Sequence, residues 1–237
     1  MVLYVKDRTG RFGERPYYQP GELDQECEKI IRSYLQDKHG VVRFPVDTED
    51  LKSLIERDAY ELDCYADLAE YGADVEGMTE FRPGKKPLVR ISGRLTEDQR
   101  FENRLRTTLT HEYGHVKFHA YLFSLNQEQG LLFQSGAPQR LISKRENIID
   151  APQADWMEWQ AGYICGAILM PISFIRKLAA DFVSSRNHFG PISPQSENGR
   201  HIIDLISREF QVSQDAARVR LLKLGILGHE RGPSLFS

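Results

Sequence analysis

The residues best suited to chemistry are two histidines and a glutamate in the run His111-Glu112-Tyr113-Gly114-His115, an H-E-x-x-H sequence. On a helix, histidines four residues apart lie one turn apart on one face, so both imidazoles can reach a single metal ion. The glutamate beside the first histidine is then placed to act as general base on a water at that ion. The chemistry implied is metal-assisted hydrolysis, with one Zn2+ per chain as the expected cofactor.

The flanking residues predict the helix that this spacing needs. Thr96 is the expected N-cap, with Gln99 three residues on and Glu97 and Asp98 in the first turn. Phe101, Leu105, Leu109 and Val116 then recur near a helical period, and no proline interrupts before Ala120.

Two histidines do not complete a hydrolytic zinc site, which usually takes three protein ligands and leaves a fourth position open. His119 lies two turns beyond His111, about 12 Å along a straight helix, so three rings cannot converge on one ion. It is expected behind the ligands or at the surface. The longer pattern with a glycine break and a third histidine is absent, because Gly114 falls inside the helix.

Glu158 is the better third ligand. Its helix is expected to begin near Asp150 or Pro152 and to end before Pro171. Residues 158, 161, 162, 165 and 166 share a face that reads Glu, Ala, Gly, Cys, Gly. Small side chains let a second helix approach closely, and a lone carboxylate pressed there is costly unless it is paired or holds a metal.

At this point the residues resemble the ImmA/IrrE family of zinc metallopeptidases. The resemblance rests on residues 106–115, similar to that family's H-E-x-G-H helix, and on Glu158-Trp159-Gln160-Ala161 through Leu169-Met170-Pro171, similar to its second helix. A weaker match is Phe44-Pro45-Val46-Asp47, and the whole covers residues 41–227. It implies an α+β fold: a mostly helical, gluzincin-like core with a small twisted sheet and a helical C-terminal region. It implies His111, His115 and Glu158 as zinc ligands and Glu112 as general base. It also implies a protein substrate such as a helix-turn-helix transcriptional repressor. Gly162 stands where members of the family often have asparagine, and a neighbouring side chain is expected to fill that space.

Composition sets the outer limits. The chain has 237 residues, 41% hydrophobic, and a formal net charge of −3, which argues against a nucleic-acid coating protein. Cys27, Cys64 and Cys165 are too widely spaced for a zinc knuckle and fit a reducing, cytoplasmic setting. No run approaches eighteen apolar residues, and residues 1–15 are charged without an apolar secretion core, so no membrane partner is expected.

Three segments are expected: an N-terminal arm and helix over 1–40, a zincin-like core over 41–185, and a helical C-terminal region over 186–237. Residues 1–20 read as an extended arm. A helix over 22–36 carries Leu23, Cys27, Ile30, Ile31, Tyr34 and Leu35 on one face, and Asp47 caps another containing Leu51, Leu54 and Ile55. The acidic residues from Asp58 to Glu76 read as a solvated face. Strands are expected over 79–81 and 88–92. The second is expected at a sheet edge, with Val89, Arg90 and Ile91 pairing with substrate. Residues 124–149 form either a wall over the site or a surface loop.

A helix is expected over 172–183. Helices over 201–210 and 213–224, with Ser213 as N-cap and Gly225 as the stop, resemble a helix-turn-helix. The second carries Arg218, Arg220 and Lys223, which invites direct DNA binding. The favoured reading is that it packs on the core with its cations in solvent. The eight cations between Arg82 and Arg106 fit either substrate steering or solubility. Tyr113, His119, His188 and His201 all remain open as the group that steadies the oxyanion. The rival function is a non-catalytic module that binds a repressor or DNA and keeps a vestigial metal site.

Overall fold

The computed structural model describes residues 3–82, 84–128, 138–186 and 190–228. The N-terminal arm is a hairpin of β1 (Leu3–Lys6) and β2 (Glu14–Tyr17), paired from Leu3↔Tyr17 to Lys6↔Glu14. Asp7 organises its turn. The buried carboxylate accepts from the backbone N–H groups of Thr9 and Phe12 and from the Thr9 hydroxyl. α1 (Pro20–His39) starts with a capping box between Gln19 and Glu22 and stops at Gly40, whose φ of 70° suits glycine. It buries Leu23, Cys27, Ile31, Tyr34 and Leu35, and α2 (Thr48–Asp58) buries Leu51, Leu54 and Ile55.

One four-stranded mixed sheet follows: β3 (Glu61–Ala66), β4 (Val75–Phe81), β5 (Leu88–Ser92) and β6 (Gln139–Lys144), in the order β3-β5-β4-β6. β3 runs parallel to β5, whereas β4 is antiparallel to both β5 and β6. The expected edge strand is therefore an inner one. Val89 pairs with Leu62 and Thr79, Arg90 with Asp63 and Met78, and Ile91 with Gly77. Ladders on both sides occupy the backbone groups of β5, so Val89, Arg90 and Ile91 cannot receive a substrate strand. Among the described residues the free edges belong to β3 and β6.

The acidic stretch is not a solvated face throughout. Glu76 is buried and pairs with Arg104, with Arg94 3.9 Å away. The cations of residues 82–106 are partly used up in this way.

The histidine helix also begins later than expected. Thr96 lies inside the short α3 (Gly93–Glu97) and donates its hydroxyl to the Cys64 carbonyl instead of capping. Asp98 caps a 3-10 turn through the Arg100 N–H, and α4 (Glu102–Gly114) follows. A π-turn, His115–His119, joins α4 to α5 (Ala120–Glu128). The expected wall over residues 124–149 falls partly outside the described residues. Its described end forms β6 and the short α6 (Asn147–Asp150).

α7 (Trp156–Leu169) is the central helix and packs against α4, α1 and α6. Its small face does what the spacing predicts: a Cβ on Gly114 of α4 would lie 3.1 Å from Ala161 Cα. α8 (Ile172–Arg186), α9 (Glu197–Phe210) and α10 (Gln214–Lys223) complete the chain. Ser196 caps α9 and Ser213 caps α10. One main core draws on Leu23, Leu54, Leu109, Ile168, Ile175, Ile206 and Leu221, and so on all the longer helices except α5.

Of the three cations of α10 only Arg218 is exposed to solvent. Arg220 is buried, pairing with Asp24 and donating to the Met170 carbonyl, while Lys223 donates to the Ile149 carbonyl at 2.9 Å. Arg218 pairs with Asp215 on its own helix. No single helix among the described residues is long and apolar enough to cross a membrane.

Candidate metal centre

Three buried side chains from α4, the π-turn and α7 converge. His111 Nε2 lies 3.0 Å from Glu158 Oε2, His115 Nε2 lies 3.3 Å from Glu158 Oε1, and the two ring nitrogens are 3.2 Å apart. Two ligand atoms bound at tetrahedral angles to one zinc ion lie about 3.3 Å apart, so the spacing suits a shared ion. The donor chemistry asks for one. A carbonyl oxygen only accepts, so His111 must donate its Nδ1–H to Ile148, 2.9 Å away, which leaves Nε2 bare in a neutral ring. That bare nitrogen faces a carboxylate and a second imidazole in a buried space, an arrangement that is costly without a cation between them. Among the described residues no fourth His, Cys, Asp or Glu joins the group.

The same closeness sets the electrostatics of the group. Burial alone would lower the pKa of His111 and raise that of Glu158. Their mutual pairing, with His115 beside Glu158, overrides this and holds His111 above and Glu158 well below their ordinary values.

Glu112 lies alongside, wholly buried. Its Oε2 accepts from the Thr79 hydroxyl at 2.6 Å, and its Oε1 has no hydrogen-bond partner. Gly77 lies directly against this carboxylate. Both contacts come from β4, and neither is foreseen from the sequence. The signal available is a glycine inside a strand, which marks a close approach. Expecting the strand to start at 79 hides it.

The sequence matches the Peptidase_M78 family, described as the IrrE N-terminal-like domain, over residues 69–222. The chain belongs to this family. No curated protein matches it significantly. Membership supports a metallopeptidase role. The matched Peptidase_M78 region contains His111, Glu112, His115, Glu158 and Thr79, whereas β1, β2, α1 and α2 lie outside it.

Within this Peptidase_M78 domain His119 is not at the surface. It takes the other expected place, behind His115: it ends the π-turn with its Nδ1 3.0 Å from His115 Nδ1. Its Nε2 faces Gln160 Oε1 at 3.1 Å, and burial pushes its pKa well down. Both ring nitrogens are engaged, so His119 has no free N–H for an oxyanion. Tyr113 is turned the other way, into the main core, where its hydroxyl donates to Asp58. His201 is exposed on α9, and His188 lies outside the described residues.

The space at Gly162 is filled by backbone and not by the expected side chain. A Cβ there would lie 3.0 Å from the Ile148 oxygen and 3.2 Å from that of Ile149. The Ile148 oxygen is the one that orients His111, so the glycine admits the segment that steadies this ring.

Proposed function

We propose that the chain is a zinc-dependent endopeptidase in which His111, His115 and Glu158 hold the ion and Glu112 is the general base. The observation that carries this is the state of the Glu112 carboxylate. One oxygen is held by Thr79, while the other is buried without a partner, next in sequence to a ligand. A bound zinc ion supplies Lewis acidity toward water and the scissile carbonyl. Glu112 Oε1 accepts the proton released as water attacks and delivers it to the departing amine. Thr79 keeps the carboxylate aimed throughout. His111 and His115 present bare Nε2 atoms, and Glu158 offsets the charge of the ion.

The peptide to be cut is extended, and among the described residues β6 is the sheet edge that adjoins β4, the strand touching Glu112. Pairing along β6 would lay substrate beside the base. The substrate class favoured by the family resemblance is a protein such as a helix-turn-helix repressor, and the setting is cytoplasmic. The test uses zinc-loaded protein and a candidate repressor encoded beside its gene. The wild type cleaves it, and Glu112→Gln keeps about one zinc per chain but does not cleave. A Glu112→Gln variant with full activity would overturn the mechanism. A zinc-loaded wild type that binds the repressor but never cuts it would favour the non-catalytic module.

A further inference from the structure

We propose that the N-terminal hairpin is part of the metal site, through a hydrogen-bond chain of fixed polarity that runs from Pro16 by way of Gln160 and His119 to His115. The chain sets which nitrogen of His115 faces the ion. The proposal rests on His111, His115 and Glu158 being the ligands.

The polarity follows from which atoms can donate. The Pro16 carbonyl can only accept, so the Gln160 amide nitrogen faces it, at 3.3 Å. Gln160 Oε1 is thereby turned to His119, and because it too can only accept, the proton of His119 sits on Nε2. A neutral ring then leaves His119 Nδ1 bare, and it accepts from His115 Nδ1–H at 3.0 Å. The remaining nitrogen of His115, Nε2, is bare and faces Glu158 and His111. A single backbone oxygen in β2 thus selects the tautomer of a ligand three links away. His115, His119 and Gln160 are all buried, so bulk water does not compete for these bonds.

The hairpin also holds the other side of His119. Asp7 accepts from the Trp156 indole N–H at 3.1 Å, and Arg11 reaches the Met157 sulfur at 3.0 Å. The Trp156 ring meets His119 edge to face, with centroids 5.6 Å apart. Trp156 and Gln160 stand one turn apart on α7, so two contacts from one hairpin fix the two side chains that enclose His119. The hairpin lies outside residues 69–222, so a segment beyond the family domain completes a site within it. His119 is a positioning residue. It does not touch the ion, and it acts through His115.

The test is the zinc dissociation constant of the full chain, measured by competition with a chromogenic chelator. His119→Phe, which keeps the ring and loses both nitrogens, and Gln160→Leu should each weaken zinc by about 10- to 100-fold. His119→Asn retains an acceptor near the Nδ1 position and should return to within a few-fold of wild type, a rescue that simple packing would not produce. Asp7→Ala, in the hairpin turn, should weaken zinc several-fold. Wild-type affinity in His119→Phe overturns the chain, and wild-type affinity in Asp7→Ala overturns the part assigned to the hairpin. Long-range nitrogen–proton spectra of the wild-type imidazoles give a second readout that needs no variant. Protons on His119 Nε2 and His115 Nδ1 are expected, and the opposite pair overturns the proposal. A wild type that takes up no zinc removes the ligand assignment and this inference together. Zinc bound equally by wild type and His119→Phe removes this inference alone.

Discussion

Gly77 on β4 and Glu112 on α4 approach so closely that position 77 has no room for a methyl group. A Cβ there would lie 2.9 Å from Glu112 Cδ and 3.0 Å from its Cγ, with the carboxylate oxygen nearer still. The strand therefore acts as a floor under the Glu112 carboxylate, the proposed general base. Gly77→Ala must push the carboxylate aside or lift the strand. Because small misplacements of a reacting group cost about 100-fold, kcat should fall by about 10- to 100-fold. Zinc content should stay at the wild-type level, since no ligand is touched. Comparing kcat with metal content in the same preparation checks this, and loss of zinc would show that the floor supports the ligands instead.

Thr79 supplies the complementary restraint, a hydroxyl donated to Glu112 Oε2 at 2.6 Å. Thr79→Val preserves shape and removes the donor. A hydrogen bond to a charged group contributes about 1.5–3 kcal/mol, so a fall of about 10-fold or more in kcat is expected, with KM little changed. Thr79→Ser should restore most of the rate. If valine and serine behave alike, the hydroxyl is not what holds the base.

The candidate ligand group is legible in the sequence because it depends on local rules. Spacing of four on a helix brings His111 and His115 together, and one carboxylate among Ala161, Gly162 and Cys165 marks a tight helix contact. What surrounds the set is not local. The spacing leaves His119 behind the ligands or at the surface, and only its contacts with His115 and Gln160 decide for the interior. Thr79 and Gly77 reach Glu112 only because β4 passes beneath α4, which no single-strand pattern states. β5 looks like an edge when residues 61–66 are read as acidic surface. Once β3 pairs with it, that edge moves to β3, and β6 forms the opposite edge beyond β4. Arg220 reads as a surface cation until Asp24, nearly two hundred residues earlier, is placed beside it.

Gly162 admits the backbone of α6 at Ile148 and Ile149, and with it the carbonyl that orients His111. A methyl group at 162 would crowd the Ile148 oxygen at 3.0 Å. Gly162→Ala should move that oxygen out of line with His111 Nδ1 and weaken zinc by about 10-fold or more, the effect usual for a lost outer partner of a ligand. Overpacking should also lower stability by about 1–3 kcal/mol. Chelator competition and urea unfolding measure the two effects separately. Unchanged zinc affinity would mean that the carbonyl contact is incidental.

Arg220 and Asp24 form a buried ion pair between α10 and α1, and Asp24 also accepts from the Tyr163 hydroxyl at 2.8 Å. Removing one partner leaves a charge without compensation, which costs about 3–5 kcal/mol. Arg220→Met should therefore be strongly destabilising in urea unfolding. The double variant Arg220→Met/Asp24→Leu should recover a large share, because the buried charge goes with its partner. Equal destabilisation in the single and double variants would show that Arg220 contributes through packing against Tyr163 and not through the pair.

Asp7 links the hairpin to acidity. Burial alone would raise its pKa, but the hydrogen bonds from Thr9, Phe12 and Trp156 outweigh burial and hold it below 3.8. A carboxylate whose pKa is depressed on folding adds stability above its unfolded value and loses it as the pH falls through the folded one. Hairpin docking should thus be intact at neutral pH and fail only in acid, below pH 3.8. Asp7→Asn removes that acid dependence and weakens docking at every pH. The indole N–H resonance of Trp156, which reports its bond to Asp7, follows the transition directly. Loss of that bond already near pH 6 would mean that some group other than Asp7 controls the hairpin.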